Sequence, residues 1–504
     1  MNISDEKKLQ KIKEHIRKIE YLKFTNNNLL YWDKVTNMPK KGIGFRSEVM
    51  SFLAGELHKL IEDKEFVKLV AYFDSKDPQE LDIQTISMIR KIKGNYEYIN
   101  KIPSKEYRDY IYLIAEAEQV WSKSKRNDDF ESVVPYLEKI VEHFKNFTEY
   151  WGYEEEPYDA LFSFYGAGVN TKMVDEMFQE LKGYIVKLLE DISTSKVRIN
   201  DEIFSGYFNK DAQSKMTIDI LNRIGFDFDA GRVDEGEHPT ILPNSNKDVR
   251  IITSYNEEDF RPAFTTALHG GGQALYEQGI SSDLYGTLLA EPSSVVFLEA
   301  IARFYENIFG RSKEFWDFYY PIMQGYFPSF KTISKKNFYK ALNKVDYSLI
   351  RMDADELTYN LHIIIRYEIE KDLINNKLSV KDIPDVWNEK YKEYLGIEPP
   401  NHGLGALQDV HWFSGYFGYF PNYILGNLYA AQIYSMIKRE IPDYGELVSS
   451  GNWDKINDWF KEKIFIHGSI YYPEELIYLV TDENLKVDYF IDYLDEKYRY
   501  IYEM

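Results

Sequence analysis

The chain has 504 residues, no cysteine, and 61 basic against 82 acidic side chains, for a formal net charge of −21. Disulfides and thiolate metal sites are therefore excluded, and a nucleic-acid partner is argued against, because phosphate backbones are met by basic faces. No apolar run approaches the ~20 residues of a membrane span, and MNISDEKKLQKIKEH lacks a signal peptide's apolar core, so the reading is a cytoplasmic protein.

Leu9, Ile12, Ile16 and Ile19 recur at spacings of three and four, which predicts an amphipathic first helix. Ser4 is its expected N-cap, with Asp5 and Glu6 placed for the helix dipole. Helical spacing resumes through RSEVMSFLAGELHKLIED and breaks at DSKDPQ, KIPSK and SKRNDDF. WGYEEEPYDALFSFYG reads as a loop by its Pro, Gly and acidic run. In KMVDEMFQELKGYIVKLLEDI, the residues Met173, Val174, Met177, Leu181 and Ile185 are expected to share a face. A helix ended by Gly225 is followed by a short strand candidate, and the β-branched run DVRIITSY from Asp248 reads as a second strand.

FRPAFTTALHGGGQALYEQG reads as a helix over 260–279, with Pro262 in its first turn and Gly279 as its C-cap. Three consecutive glycines cost about 1 kcal/mol each relative to alanine, so this helix is expected to be soft or kinked at Gly270 to Gly272. EPSSVVFLEAIARFYEN is a further helix, with Glu299 inside an apolar run. YSLIRMDADELTYNLHIIIRYEIEKDLI is a long helical pattern carrying Arg351, Asp355, His362 and Glu368. YLGIEPPNHGLGALQDVHWFSGYFGYFPNYILGN reads as a long functional loop, with helices returning from Asn427. With no repeat, low-complexity tract or long linker, the expectation is one mainly α domain over 1–504 with a small strand element. Its N-terminal helical part spans roughly 1–150 and its active-site region roughly 238–420.

His269 and Gln273 are four apart and so lie on one helix face. Two side chains on one helix and a carboxylate from a later one, Glu299, is the layout of a zinc hydrolase of the HExxH type. Here the motif reads HGGGQ, so glycine stands where the general base belongs and glutamine where the second histidine does. Buried carboxylates are rarely unpaired, and Arg250 or Arg351 is the expected partner of Glu299 if no metal is bound. Arg250 suits a peptide's terminal carboxylate, and otherwise an ion pair with Asp248 or Asp259. His362, among LHIIIR, reads as a core histidine. The triple glycine lacks the Lys-Ser/Thr of a phosphate-binding P-loop.

Several longer phrases resemble the zinc metallocarboxypeptidases of the carboxypeptidase Taq type. That family's HExxHALYEQG is matched by His269-Gly-Gly-Gly-Gln273 followed by ALYEQG, and its D-x-R-x-T by Asp248-Val-Arg250-Ile-Ile252, without the threonine. Its HPF reads His238-Pro239-Thr240, and its H-E-S, source of the third zinc ligand, reads Leu298-Glu299-Ala300. I-R-x-x-A-D is intact from Ile350 to Asp355, and G-x-x-Q-D-x-H-W is intact from Gly405 to Trp412. The resemblance implies a helical metallopeptidase-type domain with a small β-sheet beside the active-site helix, a long substrate groove and a homodimer. It implies zinc or another divalent ion at His269, Glu299 and Gln273, a site weakened here or absent, with Gly270 in the base position. It also implies peptides bound by their C-terminus through His238, Asp248, Arg250, Arg351, Asp355, Gln408, Asp409, His411, Trp412, Tyr416 and Tyr419. Three readings compete: a homologue without normal zinc-peptidase activity that still binds peptides, an active hydrolase borrowing a base such as Glu277 or Glu291, and a structural dimer with a vestigial groove.

Overall fold

Helical spacing in the sequence becomes helix over most of the chain. The structure, a computed structural model, describes residues 3–236 and 239–504, with the backbone alone at 95–97 and 99. In chain order, the helices used below are α1 (Ile3–Lys23), α2 (Ile43–Ile61), α3 (Val134–Trp151), α4 (Thr171–Thr194) and α5 (Lys210–Arg223). They continue with α6 (Arg261–Gly279), α7 (Val295–Arg303), α8 (Tyr359–Ile374) and α9 (Ile383–Leu395). Three strands, β1 (Gly231–Glu235), β2 (Thr240–Ser245) and β3 (Asp248–Thr253), form one sheet in the order β1-β3-β2. No helix of the described residues is long and apolar enough to cross a membrane.

The described chain falls into two compact units, each assembled from three separated segments. The first comprises Met1–Tyr96, Asp201–Phe338 and Ile433–Glu483; the second comprises Glu97–Asn200, Tyr339–Gln432 and Asn484–Met504. Their first boundary falls well before the end of the helical part expected over 1–150.

In the first unit, β3 is the central strand, parallel to β1 and antiparallel to β2, with Leu242 opposite Arg250 in the register. Ile252 is buried on one face of β3, and Val249, Ile251 and Thr253 are buried on the other. Helix α6 covers that face and packs in turn on α5 and α7. In the second unit, α8 is buried almost all round, from Tyr359 to Ile374, and packs on α3, α4 and α9. His362 is fully buried there, its Nδ1 2.8 Å from the Tyr391 hydroxyl, which bears out its reading as a core histidine.

Several local expectations are corrected. Helix α1 is already helical at Ile3, so Ser4 lies inside it rather than at its N-cap. Met173 is exposed, and Phe178 takes its place on the buried face of α4. Part of the expected loop at 151–166 is a short helix, Asp159–Phe164, anchored where Asp159 Oδ1 accepts from the Thr171 amide at 2.7 Å. The long helical pattern from Tyr347 is α-helical only from Tyr359, after a single 3-10 turn at Arg351–Asp353, because Asp355 accepts from the amides of Leu357 and Thr358 and so fixes a turn. The returning helix starts at Pro421, whose ring suits a first turn, rather than at Asn427.

Candidate active site

Helix α6 runs unbroken through its three glycines, against the expectation of a kink. The reason is packing. A Cβ on Gly271 would lie 2.6 Å from Ile224 Cδ1 and 2.8 Å from Leu221 Cδ2, and one on Gly272 would lie 2.8 Å from the Tyr305 ring and 3.0 Å from the Ile301 carbonyl. These two glycines let α5 and the α7 segment approach closely. Gly270 differs: its Cβ would make ordinary contacts at 3.6 Å and beyond. Gly279 is the last helical residue rather than a left-handed cap, and its missing Cβ leaves room for Phe465 at 2.7 Å.

His269 and Gln273 sit one turn apart, with Gln273 Nε2 3.4 Å from His269 Nε2. The other imidazole nitrogen, Nδ1, donates to Glu306 Oε2 at 2.8 Å, since an ionised carboxylate can only accept. Glu306 belongs to a π-helical turn, Phe304–Phe309, into which α7 runs directly. Such widened turns often mark functional sites. On α7 itself, Arg303 Nε donates to Glu299 Oε1 at 2.6 Å, and Arg303 Nη1 reaches Glu306 Oε2 at 3.3 Å. Glu299 Oε2 is left 3.8 Å from His269 Nε2. The partner of Glu299 is thus Arg303 on its own helix, not Arg250 or Arg351. Burial works against protonation of His269, but Glu299 and Glu306 outweigh it and hold the imidazole pKa above its ordinary value. Arg303 and His269 likewise overcome burial at Glu306 and hold its carboxyl down, at about 2.

On β3, residues two apart share a face, so Asp248 and Arg250 meet in a bidentate pair, Nε–Oδ1 and Nη2–Oδ2 each at 2.9 Å. The Arg250 guanidinium also lies 4.3 Å from the Trp32 ring centroid. Asp259 pairs with Arg261 instead. His238, expected nearby, lies outside the described residues.

In the second unit, Asp409 is the hub. It accepts from Arg351 Nη2 at 2.9 Å and from Arg366 Nε at 2.8 Å, and both guanidiniums are buried. They overcome the cost of its burial and hold its carboxyl far below the usual range. Gln408 Oε1 accepts from the Arg351 amide and from Arg366 Nη2, so the glutamine ties the same two segments. Asp355 serves the turn already described. Trp412 is buried, and its Nε1 donates to Glu370 Oε1 at 2.7 Å. His411 lies at the edge of this cluster: its buried Nδ1 is 3.8 Å from Asp409 Oδ1, too far for a hydrogen bond, its ring packs on Phe420 at 4.5 Å, and burial pushes its pKa down to about 4. Tyr416 is exposed, and Tyr419 half-buried.

Residues 11–498 match the carboxypeptidase Taq (M32) metallopeptidase family. The chain is 40% identical to Carboxypeptidase 1 of Bacillus subtilis over 476 residues, covering 94% of this chain and 95% of that one. It is 35% identical to Thermostable carboxypeptidase 1 of Pyrococcus furiosus, covering 94% of each. The solved M32 carboxypeptidase of Deinococcus radiodurans superposes with a TM-score of 0.95 at 30% identity, over 99% of this chain and 100% of that one. The chain belongs to the carboxypeptidase Taq metallopeptidase family.

A carboxypeptidase Taq metallopeptidase needs a metal, and the donor set here fits one poorly. A catalytic zinc takes three protein ligands and keeps one position open. This chain offers one imidazole, one amide and a carboxylate that already holds a guanidinium. No group of three or more His, Cys, Asp or Glu able to hold a metal occurs among the described residues. Glu277 and Glu291 are the two carboxylates expected as alternative bases. Glu277 lies seven residues beyond Gly270, roughly 10 Å along the helix axis at 1.5 Å per residue. Glu291 is held by Lys91 in a close ion pair. Sequence reading missed Arg303, Glu306 and Arg366. The signal was present, since Glu299, Arg303 and Glu306 recur at helical spacing inside an otherwise apolar run.

Proposed function

We propose that this member of the family binds peptides by their C-terminus but has lost, or all but lost, their hydrolysis. The observation that carries this reading is Gly270 in the base position together with Arg303 seated on Glu299. Removing a positioned general base alone costs about a hundredfold to ten-thousandfold in rate. A neutral amide in place of imidazole, and Leu298 in place of a polar neighbour, weaken the metal site further. Retained binding is supported by Arg250: Asp248 occupies its Nε–Nη2 edge, so its Nη1 can still meet a terminal carboxylate. A homodimer follows from the family resemblance, and α2, none of whose residues is buried, exposes Phe45 and Phe52.

The test is elemental analysis of the dialysed chain, with C-terminal trimming of a mixed peptide pool. The expected result is well below one zinc per chain and no trimming. Stoichiometric metal that disappears in Glu299→Ala, accompanied by trimming, would overturn the proposal. Calorimetry with a free-acid peptide and its C-terminal amide tests the binding half: the acid should bind more tightly, and Arg250→Ala should erase the difference.

A further inference from the structure

Away from α6's histidine face, the first unit holds a cavity of about 520 Å³ at the C-terminal end of that helix. The volume is that of a site for a small organic molecule. Lys247, from the β2–β3 turn, and Lys461, from the helix Asp454–Lys463, both line it, as do His467, Ser281, Ile466 and Ile470. No Asp or Glu lines it among the described residues. Neither lysine has a carboxylate within ion-pair distance, although Lys463, two residues beyond Lys461, pairs with Glu440.

The C-terminus of α6 contributes about half a negative charge, against two full positive ones. The Ile280 carbonyl just beyond it is already taken by Asn246 Nδ2 at 2.9 Å. Burial lowers the pKa of His467, so near neutral pH its ring is an uncharged donor or acceptor rather than a third cation. Ile466 and Ile470 add aliphatic lining, and Ser281 a hydroxyl.

We propose that this cavity binds a small organic anion with an aliphatic body, its phosphate or carboxylate held by Lys247 and Lys461. Nothing in the site at His269 is needed for it, so it stands or falls independently of the peptide-binding proposal. Isothermal titration of the full chain with hexyl phosphate, hexanoate and hexanol tests it. Hexyl phosphate should bind at one site per chain, and Lys247→Gln or Lys461→Gln should each weaken it about tenfold, with the double variant showing no binding. Both lysines are exposed, so the variants should fold; Lys215→Gln, an exposed lysine outside the cavity, should change nothing. Hexanoate binding as tightly as hexyl phosphate supports a general anion site, and tenfold weaker hexanoate supports a phosphoester site. Hexanol binding as tightly as either anion, failure of both anions to bind, or undiminished affinity in the double variant would overturn it.

Discussion

At Gly270, Gly271 and Gly272 one run of identical residues has two different physical causes. Gly271 and Gly272 are packing residues, since a Cβ at either meets a neighbour below 3 Å. Gly270 is under no such constraint. Gly270→Ala should therefore stabilise the fold by up to ~1 kcal/mol through helix propensity. Gly272→Ala should destabilise it by about 1–3 kcal/mol, because the buried Tyr305 ring is tethered to Asn457 and a backbone carbonyl also stands in the way. Gly271→Ala should fall between the two, as it meets only the flexible ends of Ile224 and Leu221. Urea midpoints rank the three, and a Gly272→Ala chain as stable as Gly270→Ala would refute the assignment. The same geometry makes chemical repair testable. Gly270→Glu with Gln273→His should regain zinc and some trimming, because Glu299 Oε2 is not the oxygen Arg303 holds. Gln273→His alone should regain metal with little activity, since the base is still missing. If the double variant takes up no zinc, His269 and Glu299 are not a usable pair of ligands.

Among the elements, what was legible depended on whether local spacing or distant pairing decides the structure. The first helix, the central strand β3 and helix α6 were plain in the sequence because their apolar periodicity is local. The turn-rich stretch before Pro421 was legible only as a non-helical region. Its form is set by Gln408 and Asp409 reaching back to Arg351 and Arg366, and no local pattern encodes such partners. The pairing of Glu299 fails for the opposite reason: distant arginines are its expected partners, whereas Arg303 stands one turn away on the same helix. The two kinds of pair should differ in cost. Asp409→Asn leaves two buried guanidiniums without their carboxylate and should destabilise by about 3–5 kcal/mol. Asp248→Asn, at a carboxylate one-third exposed, should cost no more than ~1 kcal/mol. Denaturant midpoints of the two variants compare them directly, and equal losses would show that Asp409 does not organise its segment.

Over the whole molecule, an excess of 21 negative charges makes the compact state increasingly self-repulsive as pH rises, and one buried carboxyl adds a separable contribution. Burial, reinforced by the like charge of Glu291, pushes the Glu277 carboxyl up to about 8. Lys91 is engaged with Glu291. Below pH 4.5 Glu277 is protonated in both folded and unfolded chains and has no effect on stability. Between 4.5 and about 8 the unfolded chain has lost this proton while the folded chain keeps it, so stability falls by about 1.4 kcal/mol per pH unit. Above about 8 the cost levels off at a few kcal/mol. Glu277→Gln removes the titration while keeping shape and polarity. Its stability advantage over the parent should therefore widen from pH 5 to pH 8.5 and then stop growing. Salt separates the two effects, because surface repulsion is screened at 0.5 M while a buried carboxyl is screened much less. The widening gap should survive in 0.5 M sodium chloride even as both chains become less sensitive to pH. A gap that stays constant across pH, or one that salt abolishes, would show that Glu277 ionises as an ordinary surface carboxylate.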